Sequence, residues 1–415
     1  MKEYDVVIFG GGTSGCACAY IAGILGLKTL VIEKKIHLGG SITSSLVVPA
    51  MQTSENQINT DFFKSLVSEL KLLNAQVTYM DNEGWFNPEL TKLALDRLLK
   101  KANVDILFMC DNYRIEYKND KFLIKILSDY IEAKYIVDAT ANANIAQILN
   151  CEFLDEKYQP VSLRFQMSGV DIERFSNWLL EFDKDRTVTT VEKINGEIHL
   201  STACTNSGKW ALQPLFNDAV KKGILENNDC NYFQIFTVAK MPDTINFNAP
   251  RVLSNPEINP NDTHDVSKAL VEAREAIYRL SNFCKKYLTG FETAYISNIA
   301  DDLGIRVSRR VKGKYIYTVE DLKSGKTFKN PVLIGNYPID VHSSTKDEQK
   351  LEKVMMDYQL PIEALISDKY DNLFVIGRCL SADFEAQAAL RIQRACFSMG
   401  EGVAKYIKKL TNQRG

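Results

Sequence analysis

The chain has 415 residues, 45% of them hydrophobic and 25% charged, an ordinary globular composition with length for two to three domains. Fifty Lys and Arg against 52 Asp and Glu leave a formal net charge of −2, which argues against a nucleic-acid or membrane-surface specialist. No run approaches the roughly 20 consecutive apolar residues of a transmembrane helix.

Met1-Lys2-Glu3-Tyr4-Asp5 leads straight into Val6-Val7-Ile8-Phe9 and does not read as a secretory leader, so the expected compartment is the cytoplasm. Val6 to Phe9 is a short β-branched run, the composition of a buried parallel strand. Gly10-Gly11-Gly12-Thr13-Ser14-Gly15 follows and fits G-x-G-x-x-G. A small-residue helix runs from Cys16 to about Leu25 and stops at Gly26-Leu27. A second apolar strand, Lys28 to Ile32, ends in Glu33, 23 residues after Gly10. Strand, glycine turn, helix, strand and terminal acid together predict a dinucleotide site. Gly10 permits the tight turn, Gly12 lets the backbone approach a pyrophosphate, and Gly15 lets helix and strand pack closely. The helix N-terminus offers N–H groups to the phosphates. Glu33 suits the ribose hydroxyls and disfavours a 2′-phosphate.

Apolar groups at 90, 94, 98 and 99 predict a helix over 88–102. Val104 to Met109 reads as another buried strand, and 112–126 as a polar hairpin containing Tyr113. Tyr135 to Ala141 is a further strand, ending in Ala139-Thr140-Ala141. The stretches 58–73 and 266–286 have the spacing of packing helices. Asn372 to Arg378 is a strand ending at Gly377, and Ala388 opens a helix to about Leu410.

These motifs resemble a bacterial family of FAD-dependent oxidoreductases that is distantly similar to the flavoproteins of fumarate reductase and succinate dehydrogenase. The resemblance rests on Gly10 to Gly15, Gly39-Gly40, Val137 to Thr140, Asp301 to Arg310 with Gly313, Tyr337 to His342, and Gly377-Arg378 with Arg391. It implies an α/β fold: a Rossmann-like FAD-binding domain of the glutathione-reductase type, with a parallel sheet and a three-stranded antiparallel crossover. An α+β substrate domain is expected as an insert. The domain expectation is 1–155 for the first part of the FAD domain, 156–310 for the insert, and 311–415 for the return. Non-covalent FAD would be held by Gly10, Gly12, Thr13, Ser14, Gly15, Glu33, Lys34, Gly40, Ser41, Tyr113, Ala139, Thr140, Gly377, Arg378, Arg391 and Ile392. The C-terminal helix would point its dipole at the flavin pyrimidine edge and raise the reduction potential.

Absences narrow the chemistry. Residues 39–50 hold no cysteine pair, as a disulfide reductase would, and no histidine for a covalent histidyl–FAD bond. The nine cysteines form no Cys-x-x-Cys pair and read as buried free thiols; the four histidines are too scattered for a zinc site. No second G-x-G-x-x-G opens a helix, so the electron partner is a transient NAD(P)H, another protein or the substrate itself.

For the reacting end, Arg306, Arg309, Arg310, Lys312 and Lys314 concentrate positive charge. They form either a solvated face paired with Asp301 and Asp302, or, through Arg306 and Arg310 near the flavin, a seat for a carboxylate or carbonyl. His342 is either structural or a proton donor or acceptor oriented by Asp340, with Tyr337 as a further donor. Asn246, Asn248 and Arg251 either line the substrate pocket or lie on a surface loop. The expected function is hydride transfer between flavin N5 and a small or medium polar organic substrate. The alternatives are an O2-using oxidase or monooxygenase, and a binding or assembly factor with structural FAD.

Overall fold

The computed structural model describes residues 2–203, 210–230, 232–254, 257–342 and 349–414. The first strand, β1 (Lys2–Phe9), is followed by α1 (Thr13–Ile24) and β2 (Thr29–Ile32), and β1 and β2 pair in parallel with Val6 opposite Thr29. Val6, Val7, Ile8 and Phe9 are all buried, as befits a strand covered on both faces. Two amphipathic helices, α2 (Asp61–Leu72) and α3 (Pro88–Lys101), pack beside α1. Asn87 caps α3 by accepting from the backbone N–H groups of Glu89 and Leu90.

Four strands extend the sheet. The short β3 (Asp105–Leu107) adds in parallel to β2. Two antiparallel strands, β4 (Tyr113–Lys118) and β5 (Lys121–Ile126), lead into β6 (Asp129–Asp138), which runs parallel to β1 on its other side. The buried strand expected over 104–109 is corrected here: β3 is an edge strand of three residues, and Leu107, Phe108 and Met109 are exposed.

A second, antiparallel sheet has six strands: β7 (Phe165–Ser168), β8 (Thr190–Ile194), β9 (Glu197–Ala203), β10 (Gln234–Val238), β11 (Met241–Phe247) and β12 (Tyr295–Ile299). Their order is β8-β9-β10-β11-β7-β12. The long helix α4 (Thr263–Tyr287) closes the apolar core of this region with Ala273, Ile277, Leu280 and Phe283.

The chain then returns to the first sheet. A short strand, β13 (Ile339–His342), carries the histidine, and β14 (Leu373–Val375) pairs in parallel with the last three residues of β6. So one edge of β6 is shared: its first half holds the antiparallel arm, its second half the C-terminal strand. Residues at both ends of the sequence therefore build one sheet.

The single helix expected from Ala388 is two helices, α5 (Phe384–Leu390) and α6 (Gln393–Arg414). Asp383 caps α5 by accepting from Ala386 N–H at 2.8 Å. The interruption at Arg391 and Ile392 turns the Arg391 guanidinium onto Asp340. Beyond it, α6 lies against α1 at Gly400, where a Cβ would come 2.2 Å from the Ser14 carbonyl oxygen. Among the described residues no helix is long and apolar enough to cross a membrane.

Candidate dinucleotide cleft and active site

The glycine turn is built from contacts no side chain tolerates. Gly10 has φ +97°, and a Cβ on Gly15 would lie 1.9 Å from the Gly10 carbonyl oxygen. No side chain caps the start of α1, and its first turn carries no acid. Thr13 and Ser14 are nonetheless buried. A buried helix start without a cap leaves its N–H groups for an anion, the phosphate-binding arrangement. Across this turn runs the segment 39–41. A Cβ on Gly40 would sit 2.9 Å from Gly12 Cα, and the Thr13 and Ser41 hydroxyls are 2.9 Å apart.

Glu33 is buried at the end of β2, accepting from Gly11 N–H at 2.6 Å and Lys35 N–H at 2.9 Å. Lys34 points to solvent, while Lys35 pairs with Asp302. Ala139 sits against Gly10 and Gly15. Thr140 donates its hydroxyl to Asp138 at 2.6 Å. Asp138 also accepts from the N–H groups of Ile145 and Ala146, so it holds the loop after β6; burial raises its pKa despite these bonds. The Tyr113 ring packs on Phe9, centroids 4.8 Å apart. Gly377, at φ +84°, lies at the first turn of α1, with its would-be Cβ 3.0 Å from Ser14 Oγ. Arg378 is locked by Ala141 O, Ile305 O and Asn142 Oδ1. A free helix start, a glycine floor and an acid at the next strand end fit a dinucleotide such as FAD.

The cationic stretch after Asp302 forms neither helix nor regular strand, and its charges go different ways. Arg310 is fully buried and donates to Ala382 O at 2.9 Å and to Asp155 Oδ1 at 2.9 Å. Lys312 pairs with Glu152 and Lys314 with Asp371, while Arg309 donates to Asn142 O. Arg306 alone joins arginines from distant segments. It donates to Pro160 O at 2.6 Å, and its own carbonyl accepts from Gln387, which also reaches Arg378 O. Burial, then the charges of Arg251 and Arg391, push the Arg306 pKa down to about 9.

Asp340 binds Arg391 at 2.9 Å and lies 3.2 Å from His342 Nε2. Burial pushes His342 down to about 3, against the pull of Asp340. Near pH 7 its ring is therefore neutral. Its Nδ1 is buried without a hydrogen-bond partner among the described residues. Tyr337 is pushed up to about 12 by burial. Tyr232 stands between Arg251, whose guanidinium lies 4.1 Å over its ring, and His342, edge-on at 6.4 Å.

Asn246, Asn248 and Arg251 are buried, so they do not form a surface loop. Sequence reasoning missed Arg164, Tyr232 and Gln159. Arg164 donates to Leu46 O and Val48 O, and Gln159 accepts from His342 N–H. The available signal was the alternation of Arg164 and Gln166 with Leu163, Phe165 and Met167, polar groups on one side of an apolar strand. Cys16, Cys18, Cys151, Cys284, Cys379 and Cys396 are buried free thiols; Cys204 lies outside the described residues. Among the described residues no three His, Cys, Asp or Glu side chains gather as metal ligands.

A family model described as FAD dependent oxidoreductase matches residues 5–409. A thiamine thiazole synthase of Saccharolobus islandicus is 27% identical over 150 residues, 34% of this chain and 55% of that protein. The chain thus spans about half the length of that curated relative. A ferredoxin–NADP reductase of Mycoplasmoides gallisepticum is 21% identical over 238 residues, 48% of this chain and 71% of that protein. The fold is similar to that of a geranylgeranyl bacteriochlorophyll reductase-like protein from Thermoplasma acidophilum, with TM-score 0.50, 14% identity, and coverage of 100% of this chain and 80% of that one. It is also similar to p-nitrophenol 4-monooxygenase from Pseudomonas putida, with TM-score 0.52, 9% identity, and coverage of 100% and 82%.

Proposed function

Because the chain belongs to the FAD dependent oxidoreductase family, with FAD as its cofactor, we propose that it is a dehydrogenase or reductase of a polar organic substrate. FAD, held without a covalent bond, supplies hydride transfer at N5. The start of α1 holds the pyrophosphate and Glu33 the ribose. Arg306 and Arg391 orient the substrate, and neutral His342 accepts or relays a hydrogen bond beside it. In this reading 1–155 and 311–415 form one FAD domain of the glutathione-reductase type, and 156–310 is the inserted substrate domain. The electron partner is NAD(P)H or a protein in the cytoplasm.

One observation carries the reading: the dinucleotide cradle and the arginine cluster share their supports. The segment that crosses the glycine turn at Gly40 continues to Leu46 and Val48, whose carbonyls hold Arg164. Gln387 ties Arg378 to Arg306 in the same way. The test is to purify the protein with FAD and follow the oxidised-flavin band near about 450 nm without oxygen. Bleaching by a polar metabolite or NAD(P)H, with slow reoxidation in air, is the expected result. Rapid reoxidation would turn the assignment to an oxidase, and absence of bound flavin would overturn it.

A further inference from the structure

Asp301 and Asp302 stand at the head of the cationic stretch, yet its cations go elsewhere. Arg310 pairs with Asp155, Lys312 with Glu152 and Lys314 with Asp371. The two aspartates turn instead to the segment that follows β2. The Asp302 carboxylate pairs with Lys35 Nζ, 267 residues earlier in the chain. Beside it, His37 Nε2 lies 3.6 Å from Asp301 Oδ2. The backbone N–H of Asp302 donates to Ser44 O at 3.2 Å. One residue thus grips the segment 35–44 at both ends, with its carboxylate at Lys35 and its N–H at Ser44.

The middle of that segment is held from the opposite side, by the glycine turn. Gly39 N–H donates to Gly11 O at 2.8 Å, and the Thr13 hydroxyl donates to Gly39 O at 3.2 Å. At its start, Lys35 N–H is bound to Glu33. The segment therefore lies across the turn, fastened below to the first sheet and at its ends to Asp302, which follows the second-sheet strand β12. The Lys35 and Asp302 side chains are 20% and 37% exposed, so added salt reaches and weakens their pair.

We infer that Asp302 is a clasp on the segment crossing the dinucleotide cradle, a positioning residue that slows the release of FAD. This rests on the flavin-cleft reading above. FAD bound at the start of α1 and at Glu33 lies against 35–44, and its departure lifts that segment from the turn. Lifting breaks the Lys35 ion pair and the Ser44 bond together, because both belong to one residue.

The test uses the FAD-loaded full chain. Bound radiolabelled FAD is chased with an excess of unlabelled FAD, and the label retained is followed with time. Release from the native protein is expected to quicken about threefold between about 0.02 M and about 0.5 M NaCl. Asp302→Asn and Lys35→Met are each expected to quicken release about threefold at low salt, to abolish the salt response, and to add little to each other when combined. A native release rate indifferent to salt, unchanged release in both variants, or fully additive effects of the two overturns the inference. If Asp302→Asn fails to fold, Lys35→Met and the native salt response decide. A native protein that binds no FAD sinks the flavin-cleft reading; FAD held with release blind to salt and to both substitutions sinks this inference only.

Discussion

His342 shows how far one residue departs from its free chemistry. Its folded pKa is about 3 against 6.5 unperturbed, because burial penalises the imidazolium. Above pH 6.5 both folded and unfolded chains hold it neutral. Below that the unfolded chain takes up a proton that the folded chain refuses until about pH 3. Stability therefore falls through this window as the pH drops. Urea unfolding at pH 7 and pH 5 should show the native protein losing about 2 kcal/mol more than His342→Gln over that interval. Arg310 and Arg306 should separate in the same kind of experiment. Arg310 is fully buried and donates to Ala382 O and Asp155, so Arg310→Met should cost about 2 kcal/mol of stability. Arg306→Met should act mainly on substrate. Comparable stability losses in both variants, with substrate binding intact, would refute that division.

At the scale of elements, α1 is the most constrained. It is buried nearly all round, starts without a cap, and is pressed by Gly400 of α6 and turned on by Gly15. Gly15→Ala should yield protein with little bound flavin, measured as the ratio of flavin to protein absorbance. Its new methyl would displace the turn whose N–H groups are proposed to hold the pyrophosphate. Gly400→Ala should lower stability by about 2 kcal/mol, since its methyl meets backbone rather than a flexible side chain. A thermal midpoint equal to the native one would refute the close approach of the two helices. The strands and helices around α1 were legible because hydrophobic period and glycine punctuation are local properties. The break at Arg391 was not. There the Arg391 guanidinium meets Asp340, 51 residues away, and nothing in the period of Ala388 to Gln393 registers that contact.

At the scale of the molecule, the chain leaves the first sheet, builds a second, and returns. The near-zero net charge conceals this arrangement: the sequence-local cluster from Arg306 to Lys314 disperses, while Arg306 feels the charges of Arg251 and Arg391, 55 and 85 residues away in sequence. The sequence by itself determined the dinucleotide cradle. Gly10 to Gly15, the following helix and Glu33 lie within one β-turn-α-β unit, and their geometry follows from backbone freedom and short-range pairing. Only the tertiary structure decided which charges meet. A guanidinium's role depends on the groups that pack across from it, and Asp155, Glu152 and Asp371 claim the neighbours of Arg306 while leaving Arg306 to face Arg251 and Arg391.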